Sequence, residues 1–218
     1  MRILIITDSL GSPRENSPVE QIWTYKLMKE HSCEGHVFFT VIAHGLYTSL
    51  LDYEQITNIN PDVIICQIGV VDCVRRAMPR RLLKIIVHIP GVRDMVQKFV
   101  RKHHFGITKR FHFKTTEEAV FRSNIKKINA SCENAWFIRI ADAGKTMVQK
   151  TYDCQNDIMR YNEIIREEAF MIDPYADCAA DDYVLEEDGH HLNALGHDLV
   201  FRAADAKLKE YLSQHSLS

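Results

Sequence analysis

The sequence predicts an α/β fold in one domain, a parallel sheet covered on both faces by helices. Three observations lead there. Short apolar runs recur along the chain and alternate with stretches of helical spacing. The 218 residues suffice for one sizeable core. There is no internal repeat or low-complexity linker to divide the chain, so residues 1–218 read as a single unit.

The first element is Ile3-Leu4-Ile5-Ile6, too short for a helix and too continuous for a half-exposed strand, hence a buried strand. It stops at Thr7-Asp8-Ser9, and Gly11, Ser12 and Pro13 keep the chain in a turn. An amphipathic helix follows, with Val19, Ile22, Trp23 and Leu27 on one face. Val37–Ile42 reads as a second buried strand ending in Ala43-His44-Gly45, and Val63–Ile68 as a third ending at Gly69. Gly69–Cys73 therefore shares a sheet edge with Ser9, the carboxyl edge where open α/β folds bind ligands. Residues 74–131 are less regular. Ile85–Ile89 suits a short strand, although Leu82-Leu83 would also suit a helix, and Met95, Val96, Phe99 and Val100 outline a short basic helix. Thr115 and Glu118 have capping-box spacing ahead of Phe121, Ile125, Ile128 and Cys132. Trp136–Ile140 is a fourth strand. Ile158, Tyr161, Ile165 and Ala169 mark a helix, and Phe170–Asp173 is a short fifth strand. The last helix starts near Asn193, a good N-cap.

Composition is that of a soluble globular protein, and no apolar run approaches a membrane span. The N-terminus lacks the pattern of a signal peptide. Six scattered cysteines without a C-x-x-C pair read as free thiols, so a cytoplasmic location is expected. The net charge of −2 hides an asymmetry. Arg75 to Lys127 holds fifteen basic residues against three acids, and Asp153 to Asp188 holds twelve acids against two arginines. Solvated helix faces are the default reading of such runs. The functional reading is that the basic segment, a candidate insertion or lid at about 75–131, borders a site and attracts an anionic substrate. No nucleic-acid signature accompanies the charge.

Taken alone, Asp8 and Ser9 simply end a strand. A second polar stretch, Asp188-Gly189-His190-His191-Leu192-Asn193, changes their meaning. Hydrolytic triad chemistry needs a nucleophile, an imidazole and a carboxylate that fixes the imidazole's tautomer. An aspartate three residues before a histidine supplies the last two from one loop, and Ser9 supplies the first. Zinc-type spacing is absent, so no metal and no cofactor is expected.

These two stretches resemble the first and last blocks of the SGNH (GDSL-type) hydrolase superfamily. Thr7-Asp8-Ser9-Leu10 matches the opening block apart from its leading glycine, and Asp188 to Asn193, with Gly196-His197, matches the closing one. Tyr161-Asn162 and Arg166-Glu167 resemble the helix ahead of that block. The resemblance implies a three-layer, flavodoxin-like fold around a five-stranded parallel sheet. It implies Ser9 as nucleophile, His191 as base and then acid, and Asp188 as orienting carboxylate. It also implies an oxyanion hole built from the Ser9 and Gly45 backbone N–H groups and an asparagine in the third block. Here that block is Gly69-Val70-Val71-Asp72, and valine has no side-chain donor. Arg75, Arg76 and Asn124 are candidate substitutes. Val71-Asp72-Cys73 resembles the same block in SGNH-like proteins linked to bacterial surface-polysaccharide assembly, which implies an acyl group on a sugar.

The expected activity is ester hydrolysis through an acyl-enzyme, with a small-molecule or carbohydrate ester as substrate. Transfer to a sugar hydroxyl by the same residues and a catalytically silent binding protein are the alternatives. A phosphate- or nucleotide-binding domain is disfavoured because no P-loop or G-x-G-x-x-G spacing occurs. Asp72, Arg75 and Arg76 are candidate substrate contacts, with a backbone-orienting role the first reading of Asp72. His190 and His197 read as loop and helix-surface residues, Cys73 as a buried free thiol, and His103, His104 and His112 as solvated surface. The loop with Tyr47 and Tyr53 reads either as a substrate wall or as packing.

Overall fold

The computed structural model describes residues 1–14, 17–79, 82, 85, 88, 89 and 91–215. Strands β1 (Arg2–Thr7), β2 (Val37–Ile42), β3 (Val63–Gln67), β4 (Ala135–Ile138) and β5 (Phe170–Ile172) form one sheet in the order β2-β1-β3-β4-β5. Every neighbouring pair is parallel. The helices are α1 (Trp23–Glu30), α2 (Tyr53–Ile59), α3 (Val70–Cys73), α4 (Val92–Arg110), α5 (Glu118–Ala130), α6 (Lys145–Lys150), α7 (Cys154–Glu168), α8 (Ala180–Tyr183) and α9 (Ala194–His215). They flank the sheet in two sets, α1 packed with α9 and α5 packed with α7. No helix among the described residues is long and apolar enough to cross a membrane.

The central strands β1 and β3 bury Ile3 to Ile6 and Val63 to Cys66 completely, which is why their sequences are continuous apolar runs. β2 differs from expectation. It is an edge strand with Val37 and Ile42 exposed, because β1 is its one neighbour and the sheet ends there. An apolar run alone does not distinguish a central strand from an edge. Asn193 does cap α9, its Oδ1 accepting the Gly196 N–H at 3.0 Å. The capping-box reading fails at α5. That helix starts after Glu117 with no side-chain cap, and the Thr115 hydroxyl is buried without a partner.

The basic segment 75–131 is not all periphery. α5 buries Phe121, Ile125 and Ile128 against the sheet, whereas α4 leaves Met95 and Phe99 exposed. Of the expected strand Ile85–Ile89, Ile86 and Val87 lie outside the described residues, and Ile85 is helical.

Connections leave β1 and β3 toward opposite edges of the sheet, so the crevice between their carboxyl ends is a topological switch point. Ser9 follows β1 and Gly69 follows β3. Gly69 has φ +132°, and a Cβ there would meet Ile140 Cδ1 at 2.5 Å. Only glycine lets the chain turn so sharply from β3 into α3.

Candidate active site

Ser9 opens a single 3-10 turn, Ser9–Gly11, whose first residues are tied to Asp8: its Oδ1 accepts the Leu10 N–H at 2.8 Å. The other stretch is a tight loop. Gly189 N–H donates to the Leu185 carbonyl at 2.8 Å, and Leu185 N–H donates to the His191 carbonyl at 2.7 Å. Gly189 takes φ +72°, and a Cβ would sit 2.6 Å from the Met147 nitrogen. That loop folds back so that Asp188 Oδ1 accepts the backbone N–H groups of both His190 and His191 at 3.0 Å.

Asp188 Oδ2 lies 2.6 Å from His191 Nδ1, and His191 Nε2 lies 3.0 Å from Ser9 Oγ. Burial pushes the Asp188 carboxyl up, but the hydrogen bonds from the His191 ring and backbone outweigh it and hold the group well below the usual carboxylate range. An ionised Asp188 accepts only, so Nδ1 carries the proton and Nε2 presents a lone pair to the serine hydroxyl. The three residues thus form one hydrogen-bonded series, the geometry that nucleophilic catalysis by a serine requires.

The sequence reading missed Arg14. Its Nη2 donates to the same His191 Nε2, so one lone pair serves two donors. Backbone hydrogen bonds in both directions between Arg14 and Ser17, each 3.0 Å, hold the arginine there. A lone basic residue after a Gly-Ser-Pro turn carries no periodic or motif signal that would have found it.

Among the described residues, no acceptor takes the backbone N–H of Ser9 or of Gly45. Val71 lines the cavity beside Ser9 and offers no donor. Asn124 does not replace the missing asparagine: its Nδ2 donates to the Thr48 and Ser49 hydroxyls, both at 3.0 Å. Asp72 is also not a substrate contact. It is fully buried, and its Oδ1 accepts the Thr48 N–H at 3.0 Å and the Thr48 hydroxyl at 2.7 Å. Together Asp72 and Asn124 anchor the loop that follows Gly45. Tyr53 belongs to that packing, its hydroxyl donating to the Thr48 carbonyl at 3.0 Å.

A cavity of about 520 Å³ opens beside Ser9. Val70, Val71, Val74 and Val100 give it an apolar wall, while Arg75, Arg76, Arg101, His104 and Lys150 add basic groups. Arg75 is a fixed part of that wall, since its Nε and Nη2 each lie 2.7 Å from a carboxylate, Asp157 and Asp153 respectively. Its Nη1 is buried without a partner. His104, expected on the solvated surface, lines the cavity with its Nδ1 2.8 Å from the Lys150 carbonyl. His190 also lines it and lies against the His191 ring, 3.9 Å between centroids. Burial, then the neighbouring His191 charge, pushes the His190 imidazole down to about 4.

His197 is 2% exposed, not a helix-surface residue, because α9 turns that face toward the core. Cys73 is a buried free thiol, pushed well up by burial and unsuited to act as a nucleophile. Asp188, His190 and His191 bring potential ligand atoms within 4.8 Å of one another, but the His191 nitrogens already serve Asp188 and Ser9.

Asp8 gives the site a pH signature. Burial pushes its carboxyl up to about 7 against the lowering effect of the Leu10 N–H, with the Asp72 charge adding to the rise. Its Oδ2 is buried without a partner. An unfolded aspartate titrates near ~3.9. The raised folded value means stability is fully present below about pH 4 and is lost as pH rises through about 7. Asp8→Asn keeps an oxygen for Leu10 and removes the buried charge. The urea midpoints of wild type and variant should coincide near pH 4 and separate at pH 8, with the variant the more stable. Coincident midpoints at pH 8 would contradict this.

No protein-family model matches the chain, and no curated protein sequence matches it. Solved structures do. The chain is similar to the lipase/acylhydrolase from Enterococcus faecalis at 16% identity, covering 97% of each chain with a TM-score of 0.62. It is similar to the acetyl xylan esterase AlAXEase at 17% identity, covering 95% of this chain and 99% of that one with a TM-score of 0.58. The psychrotrophic esterase EstA from Pseudoalteromonas sp. matches at 14% identity over 97% of this chain and 98% of that one, with a TM-score of 0.55. The fold is that of the SGNH hydrolases.

Proposed function

We propose that this chain is a serine esterase of the SGNH type, working through an acyl-enzyme on Ser9. The observation that carries the reading is the hydrogen-bonded series Ser9–His191–Asp188 at the switch point of the sheet. Ser9 Oγ attacks the ester carbonyl while His191 Nε2 takes its proton, and Asp188 stabilises the imidazolium that forms. The tetrahedral oxyanion is received by the N–H groups of Ser9 and Gly45. His191 then protonates the leaving alkoxide, and water repeats the sequence on the acyl-enzyme.

The substrate we infer is an O-acylated carbohydrate bearing a negative charge. The likeness to acetyl xylan esterases supports a sugar ester. The basic groups around the cavity support the charge, and its valine wall suits the acyl chain. An anionic group on the substrate would draw the Arg14 guanidinium off His191 and leave the Nε2 lone pair to Ser9 alone. Acetate release from acetylated anionic oligosaccharides, followed with wild type and Ser9→Ala, tests the activity. Release by the wild type alone is expected, and equal release by both would refute it.

The charge preference has its own test. Replacing both Arg101 and Lys150 with glutamine should lower kcat/KM for an anionic ester at low salt and leave a neutral ester of the same acyl group unchanged. The difference should shrink as ionic strength rises, because exposed charges are screened. Equal losses on both esters would mean that these residues shape the cavity instead of attracting charge.

A further inference from the structure

A second chemical cluster sits at the other end of the sheet, in the turn from α1 to β2. His31 ends α1, Ser32–Glu34 form one 3-10 turn, Gly35 takes φ +71°, and His36 immediately precedes β2. Two of these side chains converge on one oxygen: His31 Nδ1 lies 2.8 Å and His36 Nε2 lies 3.0 Å from Glu34 Oε2. The remaining nitrogen of His31, Nε2, lies 2.9 Å from Asp205 Oδ1 on α9. His31 is fully buried and Asp205 is largely so, whereas Glu34 is about half exposed.

We propose that His31, Glu34 and His36 bind a zinc-type divalent transition-metal ion, with Asp205 orienting the His31 ring. An ionised Asp205 accepts from Nε2–H, and in the neutral imidazole this leaves Nδ1 as a lone pair facing a carboxylate oxygen. Two such atoms at 2.8 Å are held together by a cation, either a second ring proton or a metal ion. A metal ion satisfies both, and His36 at the same time. A metal-bound histidine almost always donates its other N–H to a carboxylate or carbonyl, as His31 does here to Asp205. Zinc bonds of ~2.0–2.2 Å in tetrahedral array put neighbouring ligand atoms roughly 3.3 Å apart. Glu34 Oε2 lies a few tenths of an ångström nearer than that to each ring, a gap that the half-exposed Glu34 can open, and the three ligand atoms all lie within 4.8 Å of one another.

The bound ion would pin the α1–β2 turn to α9 through His31 and Asp205. Its role is therefore stabilising and separate from the chemistry at Ser9, which lies beyond the far end of β1, roughly 20 Å away along the strand.

The test is a zinc titration of the metal-free protein against a chromophoric chelator, with thermal unfolding measured in parallel. Wild type should bind one equivalent and unfold at a higher temperature with zinc present. His36→Ala and Glu34→Gln should abolish both effects, and Asp205→Asn should weaken binding about 10- to 100-fold. Cys33→Ser and His191→Ala should bind as wild type does, since neither the exposed thiol of that turn nor the Ser9 site is the ligand. Absence of binding to wild type would overturn the proposal, and would mean that shared protons hold the cluster together. Binding that survives both His36→Ala and Glu34→Gln, or that is lost in Cys33→Ser or His191→Ala, would overturn it equally.

Discussion

Replacing Ser9 by alanine should lower kcat by roughly a millionfold, and replacing His191 by alanine should do about the same. The double variant should be no worse than either single one, because nucleophile and base act as one unit. Asp188→Asn should cost about 10⁴ in kcat. Its carboxylate fixes the proton on His191 Nδ1 at 2.6 Å and is held ionised by the His191 ring and backbone N–H groups. An amide there favours the wrong tautomer and leaves the imidazolium uncompensated. Initial rates on a chromogenic acetate ester, with unfolding curves confirming that each variant is folded, measure all four. Retention of more than a small fraction of the rate in Ser9→Ala would remove the serine from the mechanism.

The second large effect runs the other way. Val71→Asn should raise kcat by roughly a hundredfold to a thousandfold, the rate that one oxyanion donor is worth. Val71 lines the cavity with Ser9, at 7% exposure, and asparagine has nearly its volume. In the proposed mechanism the developing negative charge, without that donor, would rest on two backbone N–H groups. The gain should appear in kcat with KM little changed, since the interaction is made only in the transition state. No gain would mean that another group already serves, and Arg14, poised at His191 Nε2, would be the residue to replace next.

The candidate site was legible where it depends on chain order and illegible where it depends on packing. Ser9, Asp188 and His191 are readable because a polar turn after the first strand and a D-x-x-H loop before the last helix each have a local pattern. Five parallel strands follow from five apolar runs alternating with helices, but their order in the sheet does not. Arg14, His104 and Lys150 reach the site through tertiary contacts, and nothing in their neighbours distinguishes them from surface residues. Asn124 looked like a spare donor, but its amide is taken up by Thr48 and Ser49 across a contact of more than seventy residues in sequence. His197 looked superficial because it is polar, yet it lies on the same buried stripe as Val200, Ala204 and Leu208. β2 read as buried since an apolar run does not say how many neighbours a strand has. The pair of carboxylates at Asp8 and Asp72, one ending the first strand and one following the third, comes together only when those strands pair.

The most direct test of the central claim is intact-mass analysis after treatment with a fluorophosphonate, run on wild type, Ser9→Ala and His191→Ala. The account predicts one covalent adduct on wild type, assigned to Ser9 by peptide mapping, and none on either variant. Folded wild-type protein that takes up no adduct would contradict it and leave the fold as a binding module, and an adduct that persists in Ser9→Ala would contradict it by placing the reactive group on another residue.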